Sequence, residues 1–115
     1  MIVIYEVNLS VDRAIADAYA AWLADHIREM LKIPGFFRAR WYERRPEDEG
    51  RDPAEVALWT VSYDVYSRDD LDRYFREDAP RMRGDGVARF GGRFEASRRI
   101  LEPRSLGGEP LGLDT

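Results

Sequence analysis

The chain contains no cysteine. A disulfide framework, a thiolate metal site and a cysteine nucleophile are therefore excluded. Histidine is nearly absent too, with His26 standing alone. A dedicated zinc or non-haem iron site draws on two or more nitrogen or sulfur ligands, so no metal is expected. No run approaches the roughly 18 apolar residues of a membrane span. The opening Met1-Ile2-Val3-Ile4-Tyr5-Glu6 lacks the basic start and long apolar stretch of a signal peptide. A cytoplasmic protein that does not engage membranes is the expectation. There is no serine-nucleophile elbow, no dinucleotide fingerprint and no Walker sequence. Lysine is scarce: Lys32 is the only one, and the other 17 basic residues are arginines. They are spread along the chain, as a compositional bias would leave them, rather than clustered as an anion-binding footprint. With 22 acids against 18 bases the net charge is −4, which gives no global attraction for nucleic acid.

What is present suffices for one domain. The 115 residues are 44% apolar and include 3 Trp, 6 Tyr and 5 Phe, enough to bury a core without staples. Residues 2 to 9 alternate and predict a strand. Val3, Tyr5, Val7 and Leu9 share one face; Ile2, Ile4, Glu6 and Asn8 share the other. Asp12 offers an N-cap for a helix whose apolar stripe runs through Ile15, Tyr19, Trp22, Leu23, Ile27, Met30 and Leu31. Pro34-Gly35 stops it. Residues 36 to 44 predict a second strand, with Phe37, Ala39 and Trp41 on one face and Arg38, Arg40 and Tyr42 on the other. An acidic loop, residues 46 to 53, follows; within it residues 47 to 52 show nothing apolar to bury and read as dispensable. Residues 57 to 66 predict a third strand, its inner face Ala57, Trp59, Val61, Tyr63 and Val65, its outer face Thr60, Ser62 and Asp64.

Ser67 and Asp70 form a capping-box pattern, and Leu71, Tyr74 and Phe75 give the next helix its buried side. Pro80 interrupts that helix. A further helical piece runs toward Phe90 and ends at Gly91-Gly92. Residues 93 to 101 predict a fourth strand, with Phe94, Ala96, Arg98 and Ile100 on one face. Residues 103 to 115 form a loose C-terminal tail outside the single domain of residues 1 to 102.

The order β-α-β-β-α-β is the split pattern of ferredoxin-like α+β folds. Right-handed crossovers put both helices on one face of a four-stranded antiparallel sheet, with strands 1 and 3 central. The other face carries Ile2, Ile4, Glu6, Arg38, Arg40, Thr60, Ser62 and Asp64. Water or a second copy of the sheet covers such a face, and a homodimer through it is the expectation.

Several segments resemble an uncharacterised bacterial family, a "domain of unknown function". They are Ile4-Tyr5-Glu6-Val7-Asn8-Leu9, Trp22-Leu23-Ala24-Asp25-His26-Ile27, Pro34-Gly35-Phe36, Ala79-Pro80-Arg81-Met82-Arg83, Arg89-Phe90-Gly91 and Phe94-Glu95-Ala96-Ser97-Arg98-Arg99-Ile100-Leu101. The resemblance covers residues 2 to 102 and implies the dimeric α/β-barrel superfamily. That superfamily includes cofactor-free quinone-forming monooxygenases, haem-degrading enzymes, lactone isomerases and proteins with no known reaction. It holds ligands in the cleft between helices and sheet.

His26 lies in the apolar stripe of the first helix and so points at that cleft. There it serves as acid, base or haem ligand, or is simply a buried histidine that bonds a neighbour. Arg98 on the inner face of strand 4 needs an acidic partner such as Glu29 or Asp78, a ligand carboxylate, or an outward path to water. Trp22, Trp41, Trp59, Tyr5 and Tyr63 line an aromatic space for a flat ligand, or are plain core. Arg81-Met82-Arg83-Gly84-Asp85-Gly86 is an anion site or lid, or a solvated kinked helix. The candidate ligand-binding set is Trp22, His26, Trp59, Tyr63 and Arg98, with His26 the candidate catalytic residue. The expected ligand is a small aromatic or acidic molecule, and no cofactor is expected. The alternative is a monooxygenase-like or haem-handling enzyme using the same cleft.

Overall fold

The computed structural model describes residues 1–106, 109 and 110. Its elements are β1 (Val3–Asp12), α1 (Ala16–Met30), β2 (Phe36–Arg44), β3 (Val56–Val65), α2 (Arg68–Glu77), α3 (Ala79–Phe90) and β4 (Phe94–Leu101). The sheet is antiparallel throughout, in the order β2-β3-β1-β4, with β1 and β3 central. This is the ferredoxin-like α+β arrangement. The tail expectation falls partly outside the described residues. Within it, β5 (Ser105–Leu106) pairs with β6 (Glu109–Pro110).

Alternation on β1 and β3 places Val3, Tyr5, Leu9, Trp59, Val61, Tyr63 and Val65 in the core beneath the helices. The helices add Tyr19, Leu23 and Met30 from α1, Leu71 and Tyr74 from α2, and Met82 from α3. The Ser67 hydroxyl accepts from the Asp70 backbone N–H at 3.1 Å and donates to Asp70 Oδ2 at 3.0 Å, so Ser67 caps α2. Asp78 separates α2 from α3, and Pro80 sits in the first turn of α3, where its missing N–H costs nothing.

Two expectations are corrected. Asp12 is not the N-cap of α1: β1 runs on through it, a short 3-10 turn (Arg13–Ile15) intervenes, and the Asp12 carboxylate accepts instead from Arg93 Nε at 2.8 Å. Phe37 does not face the core. The β2–β3 register slips between Phe36 and Arg38, so Phe36 pairs with Val65 and Arg38 with Asp64. Phe37 is the extra residue of this bulge, and its ring stacks on exposed Tyr66 at 4.1 Å. Phe36 takes the inner place, edge-on to Tyr5. Residues 47–52 of the acidic loop are exposed, as expected, and the buried residue lies just ahead of them. Pro46 is buried at the head of a 3-10 turn (Pro46–Glu49) that lies against β3. Arg44 clamps Glu49 with two bonds, of 2.8 and 3.1 Å.

The helix-free face is a polar lattice. Asp64 is 1% exposed and accepts from Arg38 Nε at 2.5 Å, with Arg40 at 3.5 Å. Arg99 makes two bonds to Glu6, which accepts a third from Asn8; Asn8 in turn accepts from Thr60.

Candidate functional site

The core is not filled. A cavity of about 320 Å³ lies between the sheet and the helices. Its floor is the inner face of β1 and β3, including Val7, Leu9 and Tyr63, and α1 and α3 form its walls. The rim carries Arg83, Val87, Gly91, Gly92 and Arg98, all exposed, so the cavity opens between α3 and the start of β4.

Four of the five candidate residues meet here: Trp22, His26, Tyr63 and Arg98. Trp59 does not. Its ring is stacked under Tyr19 at 6.2 Å and meets Trp41 edge-on at 5.6 Å, so Tyr19 stands between it and the open space. Trp41 lies outside the lining too, half out of the sheet edge.

Periodicity places His26 on the inner side of α1, and there it is half-buried. Its ring stacks on Trp22, centroids 4.6 Å apart and planes 21° from parallel. Trp22 Nε1 donates to Asp85 Oδ2 at 2.7 Å, fixing the indole that carries the imidazole. Gly86 makes this packing possible: a Cβ there would stand 2.9 Å from the Trp22 ring. Burial holds the His26 pKa below its ordinary value. Asp85 pulls it upward and Arg98 lowers it further, but desolvation dominates. At neutral pH the imidazole is uncharged and can accept a proton. Trp22, His26 and Met82 also line an open groove between α1 and α3, so these three side chains partition groove from cavity.

Arg83 escapes the sequence reading as an individual residue. It lies on α3 just ahead of two glycines, Gly84 and Gly86, and shows no apolar periodicity. Its Nη2 donates to Tyr5 Oη at 3.0 Å, and its guanidinium lies 5.8 Å from the Phe75 ring centre. The cavity also touches Tyr19 and Tyr74. Desolvation pushes the Tyr19 phenol up to about 12 and raises those of Tyr63 and Tyr74, so all three stay protonated. Among the described residues no aspartate or glutamate lines the cavity, and no group of metal-ligating side chains forms.

A family model described as a domain of unknown function, DUF4286, matches residues 2–104. The chain belongs to that family. No match to it is found among curated proteins. Solved structures share the fold of this DUF4286 chain. One is a mutant of SnoaB, a cofactor-independent oxygenase from Streptomyces nogalater. It is 12% identical, with a TM-score of 0.65 over 93% of this chain and 98% of that one. An ethyl tert-butyl ether D (EthD) family protein from Bacillus halodurans is 17% identical, with a TM-score of 0.62 over 87% and 97%. A de novo designed protein, Foldit4, is 13% identical, with a TM-score of 0.62 over 90% and 100%. Together they share the ferredoxin-like α+β fold of the DUF4286 chain. An oxygenase and a designed protein share it, so the fold alone selects no activity. Among the described residues, no helix is long and apolar enough to cross a membrane.

Proposed function

We propose that the chain is a homodimer that binds a small aromatic or acidic molecule in its helix–sheet cavity, beside Trp22, His26, Tyr63 and Arg98. The cavity itself carries the reading. Its volume of about 320 Å³ sits at the lower end of ordinary small-molecule pockets. Its walls are aromatic and apolar, and a few polar atoms converge on it. A void of this size forfeits dispersion contacts, so an occupant would stabilise the fold.

The single histidine makes the test direct. An NMR screen of small aromatic acids and phenols should shift the His26 imidazole resonances for at least one class. His26→Ala should weaken that binding while the protein stays folded. A screen in which no such compound moves His26 would sink the reading. The dimer is supported by half-exposed Ile2 and Ile4 and by the one unpaired buried oxygen among the described side chains, Asp64 Oδ1, all on the helix-free face. Sedimentation that shows a monomer at micromolar concentration would count against it.

A second reading is a cofactor-free, monooxygenase-like activity on the bound molecule. The observation that favours it is the desolvated neutral imidazole on the wall of an apolar cavity, which suits a base that draws a proton from a phenol or an acidic C–H. Oxygen uptake with a dihydroxynaphthalene, lost in His26→Ala but not through unfolding, is its expected signature.

A further inference from the structure

We propose that the ligand of this cavity is an anion, a carboxylate or phenolate on a flat apolar body, and that its charged group sits at the mouth between Arg83 of α3 and Arg98 of β4. The inference rests on the cavity being a binding site, and adds which chemistry it selects and which end of the ligand faces out.

Charge balance is the first argument. The chain has more acids than bases, and its arginines are widely paired: Arg28 with Asp25, Arg44 with Glu49, Arg68 with Asp72, Arg93 with Asp12, Arg99 with Glu6. The cavity reverses this. Apart from tyrosines, its ionisable lining groups are Arg83, Arg98 and His26. Arg98 lies on β4 opposite Val7, directed to the cavity side. Among the described residues it has no carboxylate within 4.0 Å, neither Glu29 nor Asp78 nor any other.

Position is the second argument. Arg83 and Arg98 are both exposed at the rim, on the two elements that flank the opening, while the interior behind them is aromatic and aliphatic. Arg83 is preorganised: its Nη2 is spent on Tyr5 Oη, and its plane rests near Phe75. A further bond goes to Tyr74, and the donors beyond these contacts are left for an oxyanion. Tyr5 Oη accepts from Arg83 and is also hydrogen-bonded to Tyr74, and with Tyr5 only 1% exposed its phenol is part of the packed support of Arg83. An anion at the mouth thus meets two guanidinium groups in charge-assisted bonds. The body of the ligand replaces empty space against Tyr63, Leu23 and Met30. A ligand held the other way round would bury its charge among those residues, which is costly.

The test compares 2-naphthoate with its neutral near-isostere 2-naphthamide, titrated into the full chain by calorimetry with His26 resonances as a second readout. The wild type should bind naphthoate about tenfold or more tightly than naphthamide. Arg98→Gln should bring the ratio close to one by weakening naphthoate alone. Arg83→Gln should act in the same direction, and its folding is checked by unchanged naphthamide affinity. Equal affinities in the wild type would overturn the anion clamp and leave the cavity reading standing. A preference for naphthoate that survives both substitutions would also overturn it. If neither compound binds or moves His26, the cavity reading fails, and the clamp with it.

Discussion

Tyr63 and Asp64 are neighbours on β3 and almost equally buried, at 2% and 1% exposure, yet they are held by opposite means. Tyr63 faces the helices and stacks with Tyr5 at 6.1 Å, edge-on to Phe36. Asp64 faces the helix-free side and is fixed by two arginines from β2, with one oxygen left unpaired. The helix side gains from removing apolar surface from water, an undirected force that tolerates an opening within it. The helix-free side is held by directed, charge-assisted bonds between neighbouring strands. A single strand can serve both regimes because its side chains alternate.

The comparison can be broken one face at a time. Tyr63→Ala should have the largest effect, about 3–5 kcal/mol in urea unfolding, since it empties a packed ring beside an existing void. Asp64→Asn keeps the shape and removes the charge. It should cost less, about 1–3 kcal/mol, because Arg38 and Arg40 keep partial access to water. If Asp64→Asn proves the more damaging of the two, the helix-free face is the true anchor of the fold.

Replacing residues 46 to 53 by a short Gly-Ser link should cost about 1–2 kcal/mol, seen as a fall of several degrees in Tm. That change uncovers the part of β3 under Pro46 and leaves Arg44 without Glu49. An unchanged Tm would mean that the turn covers nothing of consequence.

The smallest effect belongs to His26 and reads as a slope. The unfolded imidazole titrates near 6.5, and the folded one lies lower because it is buried. Between the two values the unfolded chain binds more protons. Stability is therefore fully present above about 6.5 and declines as the pH falls toward the folded pKa. His26→Gln should remove this component, and the NMR midpoint of the native imidazole should fall below 6.5. A midpoint at or above that value would place the ring in water or beside a closer acid.

Much of this was legible because periodicity reports burial. The four strands, the first two helices and the inward turn of His26 follow from spacing, the third helix from Pro80 and the Gly91-Gly92 stop, and the central places of β1 and β3 from the crossover rule. What failed has equally physical causes. A bulge adds one residue without changing composition, so strict alternation put Phe37 where Phe36 belongs. Asp12 carries cap chemistry, yet Arg93 supplied a stronger partner and the strand continued. Trp59 shares a face with Tyr63, but Tyr19 fills the space above it. Arg83 reaches Tyr5 across 78 positions of sequence, a link no local pattern carries.

The bulge at Phe37 also bears on how the family's sequences can vary in length. Removing one residue from a strand normally turns every later side chain to the opposite face. Phe37 is the exception in β2, because it is the supernumerary residue between an inward Phe36 and an outward Arg38. Deleting it would leave Arg38 on Asp64 and Ala39 and Trp41 on their present side, and would sacrifice only the stack on Tyr66. Single-residue gaps in this strand should therefore be found at position 37, and loss of any residue from 38 to 43 should be excluded from functional variants.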